Sequence, residues 1–242
     1  MAKKYNFPYR LIKKNGNTKL GDTIGTISKL MGDDYFNVKG FQAPIKGSCG
    51  GFCLGCKHNC YVKKSYRYPS VMVSHARTTM AFRLDINKAF DDMYTQIVSM
   101  RKPFEIIRID QSGELESVNE FNKYIELANK CPNVTFYVYT KAYAFVINQL
   151  LGGQVPKNLV VLFSIWHEYG IAEYKQVAHL PNVKAFVYND GTFDYAKHDI
   201  YPSTWCKAYG TDGKMNKNIS CDKCRKCFHC IDAFKVIFCN AH

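Results

Sequence analysis

The chain has 242 residues, 47% of them hydrophobic, with 17 Tyr and 16 Phe. That is enough apolar material for one large domain whose core needs no cysteine staples, which excludes a small disulfide scaffold. Lys and Arg outnumber Asp and Glu by 33 to 20, a formal net charge of +13. Such an excess favours polyanionic partners, nucleic acid above all, although dispersed lysines also serve simply as a solvated surface. No run of eighteen apolar residues is present, and the opening "MAKKYNFPYRLIKK" lacks a signal-peptide core. The expectation is therefore a cytoplasmic protein with no membrane partner, in a compartment where its 11 cysteines stay reduced and serve first as metal ligands.

Taken in chain order, residues 1–40 form a basic N-terminal segment, and "FQAPI" (41–45) reads as a strand entering a cysteine loop. "DINKAFDDMYTQIVSM" places Ile86, Ala89, Phe90, Met93, Tyr94, Ile97 and Val98 on one helical face, with Asp85 as N-cap. "FEIIRI" (104–109) is a buried strand, and "SVNE" (117–120) is a capping box opening the next helix. "VTFYVY" (134–139), a helix over 142–151 closed by Gly152-Gly153, "LVVLFSI" (159–165), a helix near 171–179 and "VKAFVY" (183–188) follow. A weaker sixth strand is expected near "TWCKAYG" (204–210).

This cadence is that of βα units in a parallel sheet. Six strands fall short of a closed eight-stranded barrel, so the expected fold is α/β. It is a partial (β/α) barrel of about six parallel strands over 41–203, with a cysteine-rich metal-binding extension over 204–242. An open doubly wound sheet is the other arrangement that fits. In either, reactive groups gather at the carboxyl ends of the strands: Asp110 to Glu114, Thr140-Lys141, Ser164 to Glu168 and Asn189-Asp190. His167 and Glu168 are a candidate acid–base pair there.

Two cysteine clusters carry the chemistry. "SCGGFCLGCKHNC" holds Cys49, Cys53, Cys56 and Cys60 in one continuous run. Zinc favours two pairs separated by a loop, whereas a short loop can wrap three corners of a 4Fe–4S cubane and leave the fourth iron open. "CDKCRKCFHC" spaces Cys221, Cys224, Cys227 and Cys230 with two residues between neighbours, with Cys206 upstream and Cys239 downstream as remote candidates. Either an iron–sulfur cluster or zinc suits that spacing. Cys131, alone at a helix end, is expected to be a buried structural thiol.

The C-x3-C-x2-C loop, a following helix and strand, and the Ser112-Gly113-Glu114 turn resemble the radical SAM superfamily. With "NTKLGDTIGT", "IRIDQSGELES", "FYVYTKA" and the cysteine-rich tail, the chain more closely resembles the phage gene product 88 family, a radical-SAM-like group. The resemblance implies two 4Fe–4S clusters, S-adenosylmethionine as ligand, a reducing electron donor, and cleavage to a 5′-deoxyadenosyl radical acting on an unknown, possibly nucleic-acid, substrate. It implies SAM contacts from Ser112, Gly113, Glu114, Lys141 and Ser164, and favours Cys206 as the remote ligand of the second cluster. Superfamily spacing selects Cys49, Cys53 and Cys56, while the family pattern selects Cys49, Cys56 and Cys60. Gly55 stands where the superfamily has an aromatic residue, and Ser112 where its turn has glycine. The alternative function is a basic nucleic-acid-binding protein with two structural metal sites.

Overall fold

A computed structural model describes residues 10–14, 20–21, 23–50, 60–209, 214, 216, 218–229 and 234–240. Ten strands form among the described residues: β1 (Lys13–Lys14), β2 (Ile24–Thr26), β3 (Tyr35–Phe36), β4 (Ile45–Lys46), β5 (Ile106–Ile109), β6 (Thr135–Thr140), β7 (Leu159–Ile165), β8 (Val183–Asn189), β9 (Thr204–Trp205) and β10 (Val236–Asn240). Eight of them build one sheet in the order β1-β2-β5-β6-β7-β8-β10-β9, and β3 and β4 form a separate antiparallel pair. Only β1 runs antiparallel to its neighbour; every other pairing in the large sheet is parallel.

The expected partial barrel of about six parallel strands is thus corrected to an open, mixed eight-stranded sheet with β1 and β9 at its edges. Three differences account for it. The strand expected at 41–45 is absent from the large sheet, and only Ile45 of that stretch pairs, opposite Phe36. Its place beside β5 is taken by β2, a three-residue strand in the register Ile24 to Ile106. At the far end, β10 leaves the cysteine-rich tail and inserts between β8 and β9, pairing Val236 with Ala185.

The helices are α1 (Pro69–Leu84), α2 (Ile86–Ser99), α3 (Val118–Lys130), α4 (Tyr143–Leu151), α5 (Ile171–Val177) and the short α6 (Cys221–Cys224). Their starts follow local chemistry. Pro69 opens α1, where its missing N–H costs nothing. Asp85 caps α2 by accepting from Lys88 N at 2.9 Å, and Ser117 caps α3 by accepting from Glu120 N at 3.1 Å.

Side chains alternate across the central strands, and both faces of the sheet are covered. Ile107, Ile109, Phe136, Val138, Val161, Phe163, Ala185 and Val187 face the main core with the buried faces of α2 to α5. Ile106, Tyr137, Val160, Leu162 and Ile237 face the other way, against Leu20, Phe228 and half-buried Cys206, Cys221 and Cys227. Cys131 closes α3 as a buried thiol.

Candidate functional site at the carboxyl edge of the sheet

The carboxyl ends of β5 to β8 carry two polar constellations. The first is built around Lys29, which follows β2 and is fully buried. Its Nζ donates to Glu114 O at 2.6 Å and Glu120 Oε1 at 2.5 Å, and lies 3.4 Å from Asp110 Oδ2. Burial pulls the ammonium down, but Asp110 and Glu120 outweigh it and hold Lys29 above its ordinary value. Burial pushes the Asp110 carboxyl well up.

Ser112, Gly113 and Glu114 form the wall of this constellation. Ser112 Oγ donates to Lys29 O at 2.8 Å, and Lys29 N returns a bond to Ser112 O at 2.8 Å. Gly113 has φ of +90°, and a Cβ there would fall 2.4 Å from Ser48 Oγ. Glu114 is buried, with Oε1 accepting from Thr140 Oγ1 at 2.7 Å and Leu115 N at 2.9 Å, and Oε2 from Lys141 N at 2.8 Å. Burial raises its carboxyl, with the Lys141 charge acting in opposition. Glu114 therefore ties the ends of β5 and β6 together. Ser164, half-buried at the end of β7, lends its carbonyl to Tyr143 OH at 2.5 Å.

The second constellation joins the ends of β7 and β8. His167, with φ of +52°, directs Nε2 to Asp190 Oδ2 at 2.9 Å. The same oxygen accepts from Trp166 Nε1 at 3.1 Å, and Asp190 Oδ1 accepts from Thr192 Oγ1 at 2.7 Å and Thr192 N at 3.0 Å. Burial would raise this carboxyl, but the bonds from Thr192, His167 and Trp166 prevail and hold it well below the usual carboxylate range. The imidazole stacks on Phe193 at 5.4 Å and 10°, and His167 N donates to Tyr195 OH at 3.0 Å. The His167 side chain remains 28% exposed. Its acidic partner is Asp190, from the next strand, and not its sequence neighbour Glu168.

The described cysteines do not assemble the expected metal centres. Among the described residues no three His, Cys, Asp or Glu side chains converge as a metal site. Cys53, Cys56 and Cys230 lie outside the described residues. Cys49 and Cys60 lie in the same neighbourhood, with Glu114 and Lys141 near Cys49. Gly32 N donates to Cys49 Sγ at 3.0 Å, and burial pushes that thiol up to about 12. Burial likewise pushes the Cys227 thiol up to about 12 against a Tyr139 hydrogen bond, with the Cys221, Cys206 and Cys224 thiols adding smaller electrostatic contributions in the same direction as burial.

With no such site among the described residues and an open sheet in place of the barrel, the expectation of two iron–sulfur clusters, SAM, its electron donor and a radical SAM reaction is corrected. The two structural metal sites of the nucleic-acid alternative are likewise not found among the described residues, and that alternative as stated is corrected with them. No helix among the described residues is long and apolar enough to cross a membrane.

What the fold and edge define is an open α/β sheet protein with its polar groups gathered where parallel strands end. The family model for gene product 88 matches residues 10–231, and the chain belongs to that family. No curated protein and no solved structure matches it.

Three parts of the edge escaped the sequence reading: Lys29, Thr192, and Asp190 as the partner of His167. Asp190 was legible as a strand-end acid. Lys29 sits in a stretch whose strand is only three residues long, and gave no signal.

Proposed function

We propose that this protein binds a small polar molecule at the carboxyl edge of its sheet and moves a proton on it through His167. The observation that carries the reading is the Asp190 carboxylate, whose Oδ2 lies 2.9 Å from His167 Nε2 while three further donors keep it ionised; an ionised carboxylate only accepts, which assigns the proton to Nε2. With Nε2 committed to Asp190, Nδ1 is the nitrogen that takes the proton, and the carboxylate stabilises the imidazolium that forms. Phe193 fixes the ring plane. Lys141 and Ser164, at the neighbouring strand ends, are the proposed ligand contacts, and Ser112, Gly113 and Glu114 are the frame that sets their position. Parallel α/β sheets build their sites at this edge, which supports the assignment. A cytoplasmic setting fits a chain whose described cysteines are all thiols.

The test is acylation by diethyl pyrocarbonate with each histidine followed by peptide mapping. His167 is expected to react several-fold faster than His179, and Asp190→Asn to slow it to the His179 rate. Equal rates at the two histidines, unchanged by Asp190→Asn, would sink the proposal.

A further inference from the structure

Arg108, half-buried at the third position of β5 opposite Tyr137, shares with Lys184 of β8 the sheet face away from the main core. Its guanidinium lies 4.7 Å from the centre of the Tyr139 ring, and Nη2 donates to Tyr61 OH at 3.4 Å. Its Nε is buried and has no partner among the described residues. The groups acting on its charge most strongly, after burial, are Tyr61, Tyr137, Tyr139 and Cys221. None of them is a carboxylate, and no acid among the described residues forms an ion pair with it.

This is an unusual arrangement on energetic grounds. A guanidinium cannot shed its proton, and a charge withdrawn from water without a counter-charge is costly. The two buried lysines of the fold illustrate the ordinary solutions. Lys29 has Asp110 and Glu120, and Lys184 donates to Lys226 O at 2.9 Å. Arg108 instead presents an unfilled donor beside aromatic rings. Tyr139 stands edge-on to Phe186 at 5.0 Å and 84°, and both rings are half-buried. Tyr61, half-exposed, borders the guanidinium from the turn at 61–67.

We propose that Arg108 is the anion-binding residue of a second site, which takes the carboxylate or phosphate of a small aromatic molecule on Nε and Nη2 and its ring against Tyr139 and Phe186. Planar oxyanions match the guanidinium fork, and the ligand supplies the missing charge. This site does not depend on the His167 chemistry.

The test titrates the full chain with phenyl phosphate, benzoate and inorganic phosphate by calorimetry and thermal melting. Saturable binding and a raised melting temperature are expected with phenyl phosphate or benzoate, with inorganic phosphate about tenfold weaker. The aromatic anion should bind His167→Gln as it binds the wild type. It should bind Arg108→Lys at least about tenfold more weakly, because an ammonium lacks the fork. Arg108→Gln should show no anion-dependent stabilisation; if it does not fold, Arg108→Lys decides. Absence of saturable binding by the wild type, or unchanged affinity in Arg108→Lys, overturns the proposal. Equal affinity for inorganic phosphate overturns its aromatic part.

Discussion

His75 illustrates how a single titratable residue reports on packing. Its Nδ1 lies 3.2 Å from Tyr66 OH, which also accepts from Met31 N at 3.0 Å, so the ring is tied to the loop after β2. Burial, with the Lys13 charge nearby, lowers its pKa from 6.5 to about 4. The folded state thus binds fewer protons than the unfolded chain between these values, and stability rises with pH across that window. Chemical denaturation is expected to show wild type losing up to about 3 kcal/mol from pH 7 to pH 4 at this site. His75→Gln should flatten that slope; an unchanged slope would assign it elsewhere. The partners of residues such as His75, Lys29 and Arg108 were not legible in the sequence, since each is set by chain segments far from it. "IIRI" reads as an apolar strand with one interruption, and only the fold shows that the interruption faces tyrosines.

At the scale of elements, the capping signals were legible because they are local. Asp85 and Ser117 cap α2 and α3 as their side chains predict. The capping box of α3 is nevertheless rerouted. Glu120 Oε2 accepts from Glu116 N at 3.0 Å and Oε1 from Lys29 Nζ at 2.5 Å, a residue 91 positions earlier. Glu120 therefore couples the start of α3 to the end of β2. Glu120→Gln is expected to cost about 3 kcal/mol, because it weakens the counter-charge of a buried ammonium. A loss below about 1 kcal/mol, the scale of a surface helix cap, would show the coupling to be unimportant. Short strands were the elements most easily missed. β2 has three residues, and Gly25 within it leaves room for the Phe104 ring, which a Cβ would approach to 2.7 Å. β10 is a β-branched and aromatic run, but it lies beyond a cysteine array that suggested a metal-bound tail.

Across the whole molecule, the spacing of βα units predicts a parallel sheet but says nothing about closure, which the edges decide. Here β1 pairs antiparallel with β2 on one side, and β10 with β9 finishes the other. The late return of β10 also makes the tail part of the core. Phe238 is 5% exposed and packs edge-on to Tyr195 at 5.4 Å and Trp205 at 5.3 Å. Phe238→Ala should destabilise the whole chain by about 3–5 kcal/mol in a single cooperative transition. Separate melting of the tail would refute an integral β10. The same architecture places the ends of β5 to β8 side by side, which is why groups as far apart in sequence as Asp110 and Asp190 share one edge. That strand-end set was legible from the βα cadence; the pairing of His167 with Asp190 was not, because it depends on the register of β7 against β8.

Nitrogen-15 NMR of the histidine side chains reads the state of the His167 imidazole directly. At neutral pH, His167 is expected to carry its proton on Nε2, hydrogen-bonded to Asp190 and slow to exchange, with that slow-exchanging signal lost in Asp190→Asn. A proton on Nδ1, or a ring signal indifferent to Asp190→Asn, would contradict it.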